Sequence, residues 1–229
     1  MKNLIFLFLF LASPLKAFSE LRIDITRGNT EPIPVALLKF NSNSNEEEKI
    51  STKINNVVSN NLQRSGLFKI LPEETFLEKN IKFNDTPSFS NWKLTTSQGL
   101  IHGRLSFKRN QSLIIEFRLW DVFSEKQMVA QQLTTEIDNW RRIAHVISDI
   151  IYKRITGESG YFDSRIVYIS ESGPKSNRKK RLAIVDQDGE NHKFLTDGSY
   201  LALTPRFSPA AQEVAYLSYN NRIPRIFIL

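Results

Sequence analysis

Few side chains in this sequence could carry chemistry. There are three histidines, His102, His145 and His192, and no cysteine. Histidine is the commonest general acid or base and, with carboxylates, a common metal ligand. The three histidines lie on separate segments, without the His-x-x-x-His or Asp-rich spacing typical of metal sites. We therefore interpret each histidine as a surface residue or as a structural residue with satisfied hydrogen bonds.

Two further patterns resemble catalytic sites without matching them. Asp186 and Asp188 form a carboxylate pair, but Gly189 follows directly, and aspartate is favoured in turns for its backbone hydrogen bonds. Gly157-Glu-Ser-Gly160 is one residue short of the Gly-x-Ser-x-Gly nucleophile elbow and lies at the end of a predicted helix. No glycine loop of the phosphate-binding type occurs. The sequence therefore predicts no catalytic residue, no cofactor and no metal site.

The amino terminus has the order of a secretory signal peptide. Lys2 precedes an apolar run at residues 4–11, Pro14 follows, and the small residues Ala17 and Ser19 form a small-x-small pattern. The run is shorter than the ~20 apolar residues that cross a bilayer. A retained membrane anchor is the alternative. We predict a cleaved signal peptide over residues 1–19, which places the mature chain outside the cytoplasm.

The formal net charge is +7, and one basic cluster is dense. It lies among Gly, Pro, Ser and Asn residues, which predicts a loop between strands. Lipid headgroups or nucleic acid are one interpretation of such a cluster. No aromatic residues interleave for base stacking, so we favour a solvated loop and predict no nucleic-acid partner. The cluster consists of Lys175, Arg178, Lys179, Lys180 and Arg181.

Residues 20–157 predict an α/β domain with a mixed sheet. The nearly continuous apolar run at 33–40 predicts a strand covered on both faces. A helix with apolar residues at helical spacing follows, with Gly66 at its end, and a strand at 67–71 closes a β-α-β unit.

The remainder of this domain is predicted to contain short helices, a meander and a final helix. The short helices are expected at 72–77 and 89–95, with Trp92 buried against the sheet. Alternating strands follow at 99–107, 112–120 and 127–135, and the last helix at 139–155, before Gly157.

A strand pattern that occurs twice marks the last third of the chain. Residues 165–170 return as 213–218, and residues 181–184 return as 225–228. Tyr168 and Tyr216 are 48 residues apart, within the ~40–50 residue period of β-propeller blades. A propeller closes with about four to eight blades, so we expect the first one to two blades of a truncated ring, and hence a fragment.

The blade strands can be placed from the same pattern. We expect the first repeat at 165–171, 181–186 and 192–195, with Asp188-Gly189 as a hairpin turn. A short strand bracketed by Pro205 and Pro209 should come next, then strands at 213–219 and 223–229. The aromatic residues Phe207, Tyr216 and Phe227 are expected to fill the gaps between blades.

Several of these segments resemble one family. Leu203-Thr-Pro-Arg-Phe-Ser-Pro209 followed by Val214-Ala-Tyr-Leu-Ser218 is similar to the WD40-like repeat of the TolB family, although Ala210-Ala211 replaces the usual Asp-Gly. Leu21-Arg-Ile-Asp-Ile-Thr26 with Pro32-Ile-Pro-Val35, Asn61-Leu-Gln-Arg-Ser-Gly-Leu-Phe68 and Ile155-Thr-Gly157 resemble the family's amino-terminal domain, in the same order.

The resemblance implies a fold and a function. The fold is an α/β amino-terminal domain with a mixed sheet at residues 20–157, then the first one to two blades of a truncated β-propeller at 158–229. The function is that of a periplasmic, non-enzymatic component of the Tol-Pal system, peripheral to the membrane, which links inner-membrane Tol proteins to the outer-membrane lipoprotein Pal. That link supports outer-membrane integrity and constriction during cell division. The Pal surface would lie largely in further blades, so no Pal-binding residue is assigned.

The resemblance also implies that the first residues of the mature chain bind the inner-membrane protein TolA. An alternating strand can leave its own sheet and pair with a partner by strand addition. The alternative is a permanent first strand. The assigned residues are Glu20, Leu21, Arg22, Ile23, Asp24, Ile25, Thr26, Arg27, Gly28, Asn29, Thr30 and Glu31.

Two other functions remain open from the residues alone. One is a propeller-containing regulatory region of an exported peptidase, against which the missing nucleophile argues. The other is a generic periplasmic binding propeller, which predicts no association with Pal and no partner at the amino terminus.

Overall fold

The computed structural model describes residues 31–108, 112–220 and 222–229. They form a mixed five-stranded sheet and two three-stranded antiparallel sheets. The α-helices within these residues are α1 (Asn45–Arg64), α2 (Phe89–Leu94) and α3 (Trp140–Thr156). The strands are β1 (Ile33–Leu37), β2 (Phe68–Ile70), β3 (Gly99–Lys108), β4 (Ser112–Asp121), β5 (Lys126–Glu136), β6 (Arg165–Ser172), β7 (Lys179–Asp186), β8 (Lys193–Phe194), β9 (Leu201–Phe207), β10 (Val214–Asn220) and β11 (Ile223–Ile228).

The five-stranded sheet has the order β2-β1-β3-β4-β5, with β1 parallel to both of its neighbours. Successive β1 residues belong to different cores: Val35 packs with the helices α1 and α3, whereas Ala36 packs on the opposite face. The interpretation of the apolar run as a strand covered on both faces is therefore confirmed. The predicted meander is confirmed too, since β3, β4 and β5 pair antiparallel in sequence.

Helices α1 and α3 cover one face of this sheet. Ser44 caps α1 by accepting a hydrogen bond from the backbone N–H of Glu47, and Gly66 takes a left-handed φ of 75° after its end. Gly157 ends α3 in the same left-handed region, with φ 80°. Both glycine stop positions agree with the sequence prediction.

The opposite face is partly covered by residues 71–98. Trp92 on α2 is buried there, as predicted, and its indole N–H donates to Glu78 at 2.9 Å. The helix predicted at 72–77 is wrong, because only Glu73–Thr75 form a short 3-10 turn. Phe76 is instead extended, which places its ring in the core beside Trp92 with 5.2 Å between ring centroids.

The two blade sheets have the orders β6-β7-β8 and β9-β10-β11. They meet through β9, where Leu182, Ala202 and Val214 form a small buried cluster. Tyr216 packs against that cluster and stacks on Phe227 across the strand pair. Phe207 is 42% exposed and does not fill the gap between the two blade sheets described.

Two strand boundaries differ from the sequence prediction. β7 begins at Lys179 and not at Arg181, so Lys179 and Lys180 lie on the strand with Arg181 and not in the predicted loop. The β6–β7 ladder extends this far because Glu171 on β6 pairs with Lys180.

The strand β9 runs through Pro205 rather than starting after it. Proline lacks the N–H that a regular ladder needs. The register accordingly shifts between Ala215 and Leu217, and Thr204 has a φ of 45°. The strand accommodates the proline as a local bulge.

Candidate functional site

The predicted TolA segment lies almost wholly outside the described residues. Residues 20–30 are not among them, and only Glu31 is described; it is exposed and lies two residues before the start of β1. The assignment of residues 20–31 therefore stays a prediction. The polar groups that the structure does bring together lie elsewhere, between the α/β domain and the first blade.

A polar cluster joins α3 to the turn that follows β7. Arg141 and His145 are four residues apart on α3 and so share one face of the helix. The guanidinium of Arg141 donates from Nε to Asp186 at 3.3 Å, and from Nη2 to Asp188. These side chains are at most one-fifth exposed. We name this set, together with Asn61 and Gln187, the interdomain cluster.

The turn that carries both aspartates has the geometry expected of a hairpin. Gly189 has a φ of 89°, and its N–H donates to the carbonyl of Asp186 at 2.9 Å. One oxygen of Asp188 accepts from the backbone N–H of Glu190 at 3.2 Å. The interpretation of Asp188 as a turn residue is correct. Its other carboxylate oxygen, which binds Arg141, serves the contact between domains.

Asn61 on α1 connects the helices to this turn. Its amide nitrogen donates to Ser148 at 3.0 Å and lies 2.9 Å from Nδ1 of His145. Its oxygen accepts from Arg64 at 3.0 Å and from Gln187, which belongs to the turn, at 3.3 Å. The two donors fix the orientation of the amide, because a flip would direct its NH₂ group at the Arg64 guanidinium.

The amide of Asn61 also sets the tautomer of His145. Since Asn61 donates to Nδ1, the neutral ring carries its proton on Nε2. That nitrogen points to Asp186 and Asp188 at 3.9 and 3.8 Å, too far for hydrogen bonds, and has no hydrogen-bond partner among the described residues. Burial is the main cause that lowers the pKa of His145, and the carboxylate of Asp188 acts in the opposite direction.

A metal interpretation of this cluster does not fit the geometry. His145, Asp186 and Asp188 offer ligand atoms within 4.8 Å of one another. Arg141 already forms ion pairs with both carboxylates, however, and the proton of the neutral imidazole is on the nitrogen that would have to bind the metal. The interdomain cluster is therefore an ion-pair and hydrogen-bond contact.

The segment between the two domains is fixed to α3 by Asp149. Its carboxylate accepts from the backbone N–H groups of Phe162 at 2.7 Å and Asp163 at 3.0 Å. A Cβ atom at Gly160 would lie 2.6 Å from the Cα of Asp149, so only glycine fits. Gly160 is thus a packing residue of the segment between domains, and the near match to a nucleophile elbow has a structural explanation.

The other two histidines lie apart from this contact. His102 on β3 is buried and accepts from the indole N–H of Trp120 at 2.9 Å. Burial first, and then the charge of Arg118, lower its pKa to about 4, so the ring is neutral. His192 is exposed and packs edge-on against Phe194. His192 is a surface residue, as predicted. His102 is structural, but only its Nε2 is satisfied, because the buried Nδ1 has no hydrogen-bond partner among the described residues. His145 belongs to the contact between domains.

An open groove of about 650 Å³ lies on the same sheet face as residues 71–98 and is lined in part by residues 82–85. Phe83 stands beside it, with the guanidinium carbons of Arg104 and Arg118 at 4.8 and 4.7 Å from the ring centre. Arg104 pairs with Glu116 on the neighbouring strand. The lining combines apolar side chains with charged side chains of both signs, and no nucleophile with a neighbouring base occurs among its described residues.

Local sequence patterns indicate the interdomain cluster only weakly. Arg141 and His145 are visible as an i, i+4 polar pair on a helix, and the aspartates as turn residues. Their partners are 45 and 47 residues away, and only the tertiary fold brings them together. No helix within residues 31–108, 112–220 and 222–229 has the length and apolar character needed to cross a membrane.

Comparison with known proteins gives consistent matches along the chain. The model of the TolB amino-terminal domain matches residues 21–128, and that of the TolB beta propeller domain matches residues 152–229. The Tol-Pal system protein TolB of Paramagnetospirillum magneticum is 48% identical over 98% of this chain and 50% of the relative. That of Pelagibacter ubique is 48% identical over 96% of this chain and 51% of the relative.

A solved structure agrees in fold. The crystal structure of TolB from Acinetobacter baumannii matches with a TM-score of 0.72 at 22% identity, over 91% of this chain and 49% of that one. The chain thus spans about half the length of the curated relatives it matches.

Proposed function

This chain belongs to the TolB family, and from that premise we propose that it is a periplasmic, non-catalytic component of the Tol-Pal system that acts by binding other proteins. The observation that carries the proposal is the pair of TolB domain matches in consecutive order over a fold of the same architecture. The relatives bear the name of a Tol-Pal component, which is not an enzyme family.

The proposed partners are TolA on the inner-membrane side and the lipoprotein Pal on the outer-membrane side. Such a link would support outer-membrane integrity and constriction during cell division. The blade surface supports a binding role, because Ile226 and Ile228 on β11 are 77% and 66% exposed. Exposed apolar residues of this kind are covered by a further sheet or by a partner.

The TolA contact is proposed for residues 20–31. The alternation of apolar and polar residues at 21–26 suits pairing with a strand of a partner, since main-chain hydrogen bonds give affinity and alternate side chains give specificity. Glu31 is exposed where the chain enters β1, which lies inside the sheet between β2 and β3.

Deletion of residues 20–31 tests this proposal. The signal residues 1–19 are kept, and TolA binding is measured by isothermal titration calorimetry. We expect binding to be lost. The matched control carries the same twelve residues in shuffled order, which preserves length and charge but removes the alternation, and it should bind as weakly as the deletion. Unchanged affinity in the deletion variant would remove the proposal for this segment.

A further inference from the structure

We propose that His145 is the centre of a protonation-sensitive latch that holds the α/β domain on the first blade at neutral pH and releases it in acid. The latch consists of the interdomain cluster defined above. The proposal goes beyond the proposed function and does not depend on it, because it concerns only the contact between the two parts of this chain.

The first step is the hydrogen bond between Asn61 and His145. In the neutral ring, Nδ1 accepts from the Asn61 amide at 2.9 Å. Protonation would place an N–H group at Nδ1, directly against the NH₂ group of Asn61. A hydrogen bond would be replaced by two donors facing each other in a buried site, where an unsatisfied polar group is costly.

The second step is that Asn61 cannot turn to accommodate the extra proton. Its oxygen is held by Arg64 on its own helix and by Gln187 on the turn after β7. Arg64 also donates to Gln187 at 2.8 Å. Turning the amide would break the bond to Gln187, which crosses from one domain to the other. Protonation is therefore coupled directly to the interdomain contact.

The charged groups around His145 act on its protonation in opposite directions. Asp186 and Asp188 face Nε2 from the turn, and Asp163 acts from the segment between the domains; all three favour a charged ring. Arg141, one turn earlier on α3, opposes it.

A second cation and the burial of the ring also act against protonation. Arg64, on α1, stands behind Asn61, on the Nδ1 side of the His145 ring. The His145 side chain is 3% exposed, so burial strongly disfavours the charged ring and is the main reason why its pKa is lowered.

The direction of the pH effect follows from linkage. His145 takes up a proton more readily in the open state, where water reaches it, than in the docked state. Lowering the pH therefore favours opening. With a pKa of about 6.5 for the open ring, the opening equilibrium should rise by up to about tenfold between pH 7.5 and pH 5.5.

Distances between two spin labels on the full chain test the proposal. The natural sequence contains no cysteine, so labels can be placed on Asn56→Cys in α1 and Ser176→Cys in the β6–β7 hairpin, both exposed positions. At pH 7.5 we expect one narrow distance distribution by double electron-electron resonance. At pH 5.5 the population with a longer distance between the two labels should grow by up to about tenfold. The far-UV circular dichroism spectrum should stay unchanged. An unchanged or narrower distribution at pH 5.5 would overturn the proposal.

Two variants assign the effect to the latch. His145→Gln cannot take up the proton and should show the same distribution at both pH values. The matched control, His192→Gln, removes an exposed histidine that takes no part in the cluster and should open in acid like the unchanged chain. Acid opening in His145→Gln equal to that of the control would exclude His145 as the responsible group.

The variant Asn61→Asp provides a second test of the mechanism in case His145→Gln does not fold. A carboxylate at this position accepts from a protonated Nδ1, so the acid-induced component should be lost. Opening as large as in the unchanged chain would contradict the mechanism.

The ¹⁵N spectrum of the His145 ring at pH 7.5 gives an independent check: the Nε2–H tautomer is expected, and the Nδ1–H tautomer would overturn the first step.

Discussion

Single residues of this chain serve purposes that their local sequence does not reveal. Gly157-Glu-Ser-Gly160 resembles an incomplete nucleophile elbow, but Gly160 is needed because the segment between domains runs directly over Asp149. His102 resembles a possible catalytic base, but it accepts from Trp120 inside the sheet domain. At this scale, packing explains residue types that could otherwise suggest catalysis.

Replacement of Gly160 by alanine should destabilise the chain. The new Cβ would lie 2.6 Å from the Cα of Asp149, which forces the backbone of the segment away from α3. We expect a loss of about 1–3 kcal/mol in the free energy of unfolding, the usual range for overpacking. Urea titration measures it. Ser159→Ala, at an exposed neighbouring position, is the control and should change little. Equal stability of the two variants would contradict the close approach.

His102 makes the stability of the α/β domain depend on pH. Its pKa is about 4 in the folded chain, against about 6.5 when unfolded, so the unfolded chain binds the proton first. The contribution of His102 to the free energy of unfolding is complete above pH 6.5. It falls by up to about 3 kcal/mol as the pH is lowered towards 4.

Urea titrations followed by tryptophan fluorescence can measure this loss, since Trp92, Trp120 and Trp140 all belong to the α/β domain. His102→Gln retains an acceptor for the Trp120 indole but cannot be protonated. Its stability should therefore fall less between pH 6.5 and pH 4. A parallel decline in both chains would show that another group is responsible.

The elements that matter most for the contact between domains are α3 and the turn after β7. Arg141 and His145 lie on one face of the helix, and the turn places Asp186 and Asp188 against that face. Both sides are largely buried, so this ion pair differs in kind from the exposed pairs on the blades. A buried charge that loses its partner is far more costly than an exposed one.

Removal of Arg141 should therefore have a large effect. Arg141→Met preserves much of the side-chain volume but leaves two aspartates without their cation, and we expect a loss of about 2–3 kcal/mol in the free energy of unfolding. Arg178→Met is the matched control, because Arg178 pairs with Glu171 where both side chains are more than one-third exposed. The control should be almost neutral. Comparable losses would mean that the interdomain pair is no stronger than a surface pair.

The whole molecule combines a two-sided α/β domain with the beginning of a propeller. The two blade sheets meet through a small buried cluster, whereas the far side of β11 leaves large apolar residues exposed. The curated relatives are about twice as long as this chain. A propeller binding surface made by several blades would therefore be only partly present here.

Binding to Pal should reflect this difference. We expect the chain to bind Pal far more weakly than a relative that contains all of its blades, because most of the proposed contact surface would be missing. Titration of labelled Pal with each protein gives the two dissociation constants. Equal affinities would show that the Pal surface lies within the residues present here.

Much of the fold could be predicted from local signals. Alternation, apolar runs and glycine stop positions placed the sheet domain, both long helices and the blade strands, and the family resemblance is confirmed by the two domain matches. The errors occurred where tertiary contacts overrode local preference: Phe76 leaves a helical turn to enter the core, and β9 continues through Pro205 with a bulge.

What the sequence alone determined about this protein is its order of elements, its repeat and its family, because each depends on periodicity or on contiguous motifs. The tertiary structure alone decided which distant polar groups meet. Asn61, His145 and Asp188 lie on three elements separated by more than forty residues each, and no periodic pattern encodes their approach. They come together because α1 and α3 pack side by side on the sheet while the segment after α3 directs the first blade back onto both helices.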